Sequence, residues 1–77
     1  MKNVVHEYFK RVFDDFTVLV QLNPVNYTGV ELTVHNNGKI EKRKLTFDEN
    51  IYEDLQMDGF QQSSALEFNL LMKGVSS

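Results

Sequence analysis

Residues 30–47, VELTVHNNGKIEKRKLTF, carry the pattern that decides the predicted fold. Apolar residues at 30, 32 and 34 alternate with polar ones, which is typical of a β-strand with one buried face. The alternation ends at Asn37-Gly38, a pair that favours the positive φ angles of a tight hairpin turn. The stretch therefore predicts a β-hairpin, and other elements must cover its apolar face because an isolated hairpin is barely stable in water.

The second strand of this hairpin poses a register problem. Ile40 has the opposite parity to Leu45 and Phe47, so a regular strand cannot place all three on one face. A two-residue loop pairs Val34 with Glu41, whereas a three-residue loop pairs Val34 with Ile40. The sequence predicts either a β-bulge between residues 40 and 45 or a regular strand whose lysine and arginine stems lie over apolar surface.

The stretches before the hairpin predict a helix and a strand. Between residues 3 and 16, apolar side chains recur at spacing four in two adjacent rows, a pattern typical of an amphipathic helix over residues 3–15. Residues 17–22 alternate with period two and predict a strand. Asn23-Pro24 is expected to end that strand, because proline cannot donate a hydrogen bond to a sheet.

Two further elements follow the hairpin. Residues 48–58 predict a short helix with Asp48 as its N-cap and Gly59 as the left-handed residue that closes it. Residues 65–73 alternate with period two and predict a final strand. Ser64 and Glu67 leave an alternative open, because together they could form a capping box that starts a third helix.

The resulting order, α-β-β-β-α-β, predicts an α+β fold with a mixed, mostly antiparallel four-stranded sheet and two helices on one face. The 77 residues are expected to form a single small domain, with residues 74–77 as a frayed tail. The chain has no cysteine, so no disulfide can support its thin core. Stability must come from packing or from a second subunit.

Charge is unevenly distributed along the chain. Eleven acidic and eight basic residues give a net charge of −3, which disfavours general affinity for nucleic acid or for an anionic membrane. Residues 39–44 nevertheless carry four positive charges and one negative charge, whereas residues 48–58 carry five negative charges and no positive one. The N-terminal stretch has no apolar run of membrane-span length, so a cytoplasmic protein is expected.

No pattern in the sequence indicates catalysis. The two histidines, His6 and His35, lack the partners at fixed spacing that a zinc site or a general base requires. Asp14 and Asp15 are adjacent, so on a helix their carboxylates point in different directions. The sequence predicts no catalytic residue, no metal site and no cofactor, and hence a protein that is not an enzyme.

The leading functional prediction is a protein-interaction module that binds another protein or a second copy of itself. A thin core with many aromatic residues favours association, and the segregated charges could align two partners. The expected interaction surface lies on the less covered face of the sheet and consists of Leu19, Tyr27 and Leu71.

The alternative function is nucleic-acid binding through the basic hairpin strand. Lysine and arginine side chains can contact phosphates, although lysines on an exposed strand also protect a sheet edge from mispairing. The predicted basic patch consists of Lys39, Lys42, Arg43 and Lys44.

Overall fold

A computed structural model describes residues 5–75 of the chain. In chain order its elements are β1 (Glu7–Val12), β2 (Phe16–Leu22), β3 (Thr28–His35), β4 (Ile40–Thr46), α1 (Ile51–Met57), β5 (Gln61–Gln62) and α2 (Ala65–Lys73). The five strands form one sheet in the order β4-β3-β2-β1-β5, and every neighbouring pair is antiparallel. The predicted α+β class, with two helices and a mostly antiparallel sheet, is confirmed.

The helix predicted over residues 3–15 is wrong, because residues 7–12 form strand β1, which pairs along its length with β2. A spacing of four residues is a multiple of two, so it fits one face of a strand as well as one row of a helix. Pairing with β2 decides between the two, and that partner is not visible in the local pattern. Residues 3 and 4 of the predicted helix lie outside the described residues.

The strand predicted over residues 65–73 is also wrong, and the capping-box alternative marks the true element. Ser64 is the N-cap of α2, and its hydroxyl accepts a hydrogen bond from the Glu67 amide at 3.1 Å. Burial follows helical geometry rather than alternation, since Phe68 is buried while Leu66 and Leu70 are exposed. The sheet is therefore purely antiparallel, not mixed.

The two helices lie on opposite faces of the sheet, so the prediction of both helices on one face is wrong. Strand β2 is apolar on both sides and is covered on both. We call the two sides the α2 face and the α1 face, after the helix that packs on each. The buried clusters are Leu19, Leu32 and Phe68 on the α2 face, and Leu22, Ile51 and Leu55 on the α1 face.

The β3–β4 hairpin adopts the regular register with a three-residue loop. Val34 pairs with Ile40 and Leu32 pairs with Lys42 without a bulge, and Gly38 in the loop has a φ of 91°. The bulge prediction is wrong; the strand is regular, and Lys42, Arg43 and Lys44 on it are exposed. Ile40 and Lys42 therefore lie on the α2 face, while Leu45 lies on the α1 face.

Helix α1 closes as predicted. The Gly59 amide donates to the Gln56 carbonyl at 3.1 Å and the Phe60 amide donates to the Leu55 carbonyl at 2.9 Å, which together form a Schellman closure. Gly59 has a φ of 82°. The helix begins after Asn50, two residues later than predicted, because Asp48 instead forms a preceding turn in which its Oδ1 accepts from the Asn50 amide at 2.9 Å.

The end of the described chain packs against the sheet. Gly74 caps α2, and its amide donates to the Leu71 carbonyl at 2.9 Å. Val75 packs against the buried cluster of the α2 face. Residues 76 and 77 of the predicted tail lie outside the described residues.

Candidate functional site

The predicted surface of Leu19, Tyr27 and Leu71 is not brought together by this fold. Leu19 is only 1% exposed, because Phe68 of α2 covers it. Leu71 packs against the same cluster from α2, whereas Tyr27 packs on the opposite side of the sheet with Leu22. The prediction of Leu19 on a poorly covered face rests on a strand at residues 65–73; these residues instead form the helix that covers Leu19.

The predicted basic patch is divided between the two faces of the sheet. Lys42 and Lys44 lie on the α2 face, while Arg43 lies on the α1 face and forms an ion pair with Glu31 at 3.0 Å. Lys39 lies in the hairpin loop, with its Nζ 3.9 Å from a carboxylate oxygen of Glu41. The exposed strand β4 therefore presents two lysines on one face only.

An apolar surface that the sequence analysis missed lies on the outer side of α2. Leu66 and Leu70 are one helical turn apart and are 69% and 57% exposed. Val12, at the end of β1, is 68% exposed on the same side of the sheet. We call Val12, Leu66, Leu70 and the half-buried Leu71 the α2 strip.

Two adjacent depressions outline the α2 strip. One, of about 400 Å³, is lined by Ser64, Leu66, Glu67, Leu70 and Leu71. The other, of about 210 Å³, lies between α2 and the sheet, and Val12 and Val34 line its sheet side. Glu67 and Leu71 line both, so the strip is continuous from helix to sheet. A helical wheel over residues 65–73 would have indicated it, because positions 66 and 70 lie opposite Phe68.

An ion pair supported by a hydrogen bond borders one side of the α2 strip. The Lys10 ammonium lies 2.8 Å from Glu67 Oε2, and the Ser63 hydroxyl donates to Glu67 Oε1 at 3.1 Å. The hydrogen bond from Lys10, helped by that from Ser63, lowers the pKa of the Glu67 carboxyl despite its partial desolvation. The pair holds the first turn of α2 against β1, and its two opposite charges balance each other.

No protein-family model matches this chain. Comparisons with curated proteins and with solved structures likewise gave no match. Within residues 5–75, no group of three or more histidine, aspartate or glutamate side chains is placed to hold a metal ion. No helix in that range is long and apolar enough to cross a membrane.

The two histidines lie far apart in the fold. His35 Nε2 is 3.2 Å from Glu41 Oε1 at the hairpin end of the sheet. His6 lines a separate depression of about 370 Å³ on the α2 face, together with Gln21, Lys44 and Thr46 among other residues. Among the described residues no carboxylate lines that depression, so none of them can form a catalytic pair with His6 there.

A second polar contact fastens α1 to the sheet. The Tyr52 hydroxyl donates a hydrogen bond to the Glu7 carboxylate, so it joins α1 to the first residue of β1. This hydrogen bond is the main reason that the pKa of Tyr52 rises to about 12, with smaller contributions from burial and from the charge of Glu7. The contact lies on the α1 face, on the opposite side of the sheet from the α2 strip.

Proposed function

We propose that this chain is a non-enzymatic protein-interaction module that forms a homodimer through the α2 strip. The single observation that carries the proposal is the pair of exposed leucines, Leu66 and Leu70, on the outer side of a helix whose inner side already packs on the sheet. A helix that is apolar on both sides is typical of one buried between two layers. The sheet supplies one layer, and the proposed partner supplies the other.

A second copy of the chain is the occupant that fits this strip. In a two-fold contact with antiparallel helices, Leu66 of one copy meets Leu70 of the other, so apolar surface is buried against apolar surface. The Lys10–Glu67 pair at the rim is internally neutral, so it adds no net charge to a contact between two copies. Burying a leucine side chain contributes about 1.5–3 kcal/mol, and a symmetric contact buries each leucine twice.

Sedimentation equilibrium over a range of protein concentrations tests this proposal. We expect a concentration-dependent dimer that Leu70→Lys abolishes, because the lysine would place a charge in the apolar contact. Met57→Lys is the matched control, since Met57 is 84% exposed at the end of α1, on the opposite face. A native chain that stays monomeric at high concentration, or a dimer that tolerates Leu70→Lys with its circular dichroism unchanged, would overturn the proposal.

The proposal places the module in the cytoplasm, following the expectation from sequence. Fractionation of cells that express the tagged chain tests this part independently of the dimer. Recovery with the membrane or secreted fraction would contradict it.

A second candidate function, nucleic-acid binding, is favoured by one observation. Lys42 and Lys44 lie side by side on the exposed strand β4, and within residues 5–75 neither forms an ion pair. This function predicts an affinity for duplex or single strands that falls steeply with added salt and is lost in the Lys42→Ala/Lys44→Ala variant. Absence of binding at low salt would eliminate it.

A further inference from the structure

We infer that the outer edge of β4 binds an extended acidic segment of another protein, which joins the sheet as an additional strand. Within residues 5–75, strand β4 lies at one edge of the sheet and pairs only with β3. Its seven residues form the longest strand edge that is open to solvent in residues 5–75, because β5 and the Ser63 backbone cover part of the opposite edge along β1. The inference concerns a surface separate from the α2 strip, so it does not depend on dimerisation.

The hydrogen bonds of the hairpin identify which backbone groups are free at this edge. The His35 amide donates to the Lys39 carbonyl at 2.8 Å, and the Phe47 amide donates to the Tyr27 carbonyl at 2.7 Å. Bonded pairs alternate along an antiparallel ladder, so β4 bonds to β3 through residues 41, 43 and 45. The amides and carbonyls of residues 40, 42, 44 and 46 therefore point outward, ready to pair with an added strand.

Side chains on this edge specify the charge of the partner. Lys42 and Lys44 are both exposed on the α2 face and, within the described chain, have no carboxylate partner. They are two residues apart, which corresponds to roughly 7 Å along a strand. An added strand with Asp or Glu at alternate positions presents carboxylates at the same spacing, so each lysine can meet one acidic side chain.

The opposite face of the same edge imposes a second requirement. There Arg43 is already paired with Glu31, and Glu41 contributes another carboxylate to a depression of about 280 Å³. A carboxylate of the added strand that pointed to this face would lie beside Glu41, next to an Arg43 whose charge Glu31 already balances. The preferred partner is therefore acidic on every second residue and neutral or basic on the others.

A second copy of β4 does not meet this requirement. Antiparallel two-fold pairing of two β4 edges centred on residue 42, 43 or 44 places at least one lysine opposite a lysine. Like charges directly opposite each other destabilise a strand pair. The lysines thus protect the edge from self-association and leave it accessible to an acidic strand.

The test is a titration of the full chain with three synthetic peptides. The first alternates glutamate with threonine, the second has the same composition with its glutamates consecutive, and the third repeats the first with backbone amides N-methylated on the edge that would face β4. We expect the first peptide to bind and the other two to bind at least about tenfold more weakly. The amide hydrogens of Lys42 and Lys44 should become protected from exchange in its complex.

Charge-swap variants provide the second arm of the test. The Lys42→Glu/Lys44→Glu variant should no longer bind the acidic peptide and should instead bind a peptide in which lysine replaces glutamate. Arg43→Ala, on the other face, should change the affinity for the acidic peptide by less than about threefold. Equal binding of the N-methylated peptide would overturn the inference, because affinity would then come from charge alone. The inference would also be overturned if the amides of residues 42 and 44 gained no protection from exchange. The same holds if nucleic acid bound more tightly than the peptide and displaced the peptide.

Discussion

Leu19 and Leu22 lie three residues apart on β2, and their side chains face opposite helices. Leu19 packs with Phe68 of α2, whereas Leu22 packs with Leu55 of α1, and both leucines are almost fully buried. Strand β2 therefore contributes one leucine to each of two small hydrophobic clusters, one on each face of the sheet. The packing of each helix depends on the cluster on its own face of the sheet.

Truncating either leucine should loosen one helix more than the other. Leu19→Ala and Leu22→Ala are each expected to lower the free energy of unfolding by about 2–5 kcal/mol in urea denaturation, because each leaves a cavity in a thin core. Hydrogen exchange should accelerate most in α2 for Leu19→Ala and in α1 for Leu22→Ala. Equal acceleration in both helices for both variants would contradict the division into two clusters.

A methyl group at Gly29 should destabilise the sheet. A Cβ at this position would lie 2.5 Å from the Gln21 carbonyl oxygen and 2.5 Å from a ring carbon of Phe47. Because the carbonyl belongs to a paired strand and cannot move freely, Gly29→Ala is expected to cost about 1–3 kcal/mol in thermal or urea unfolding. Gly74→Ala is the matched control, since its Cβ would meet the flexible end of Ile40 at 3.3 Å. A loss no greater than that of the control would refute the steric argument.

The Tyr52–Glu7 contact should appear in an alkaline titration. Replacing the carboxylate by an amide in Glu7→Gln should return the pKa of Tyr52 from about 12 towards 10, measured by the ultraviolet absorbance of tyrosinate. Since the folded-state pKa of Tyr52 is the higher one, the stability from this contact is fully present below about pH 10 and is lost as the pH rises to about 12. Glu53→Gln, on the exposed side of α1, should leave the titration unchanged.

The Lys10–Glu67 pair should give stability with the opposite dependence on pH. The folded-state pKa of Glu67 is lowered, so its contribution is present above the unfolded pKa of about 4.3 and is lost as the pH falls through the lower folded-state value. Lys10→Met should raise the pKa of the Glu67 carboxyl, followed by NMR, while Lys73→Met should not. Because both side chains are partly exposed, the loss of stability at neutral pH should be below about 1 kcal/mol. An unchanged pKa in Lys10→Met would show that Lys10 is not its cause.

Elements with strong local signals could be predicted from the sequence. Asn37-Gly38 marks the hairpin loop, Asn23-Pro24 the end of β2, and Gly59 the closure of α1, and all three act within a few residues. The errors fall where local spacing fits two structures. The spacing in residues 7–12 fits a helix as well as a strand, and pairing with β2 decides for the strand. The alternation in residues 65–73 fits a strand, but the Ser64 N-cap marks the start of a helix.

The candidate surface was harder to predict than the fold, because it depends on which face each helix covers. The prediction of an accessible Leu19 depends on a strand at residues 65–73, whereas Phe68 of the helix formed by these residues covers it. The exposure of Leu66 and Leu70 follows from the same reassignment. The charges of residues 39–44 are evident from the sequence, but the division of their side chains between two faces follows only from the register of β4.

The position of α2 after the sheet in the chain has a consequence during synthesis. Strands β1–β4 emerge from the ribosome first, and Leu19 and Leu32 then face water until residues 65–73 follow. At typical elongation rates this interval lasts roughly 1–5 seconds, far longer than a hairpin needs to form. During that time the nascent sheet exposes an apolar surface to which a ribosome-associated chaperone could bind.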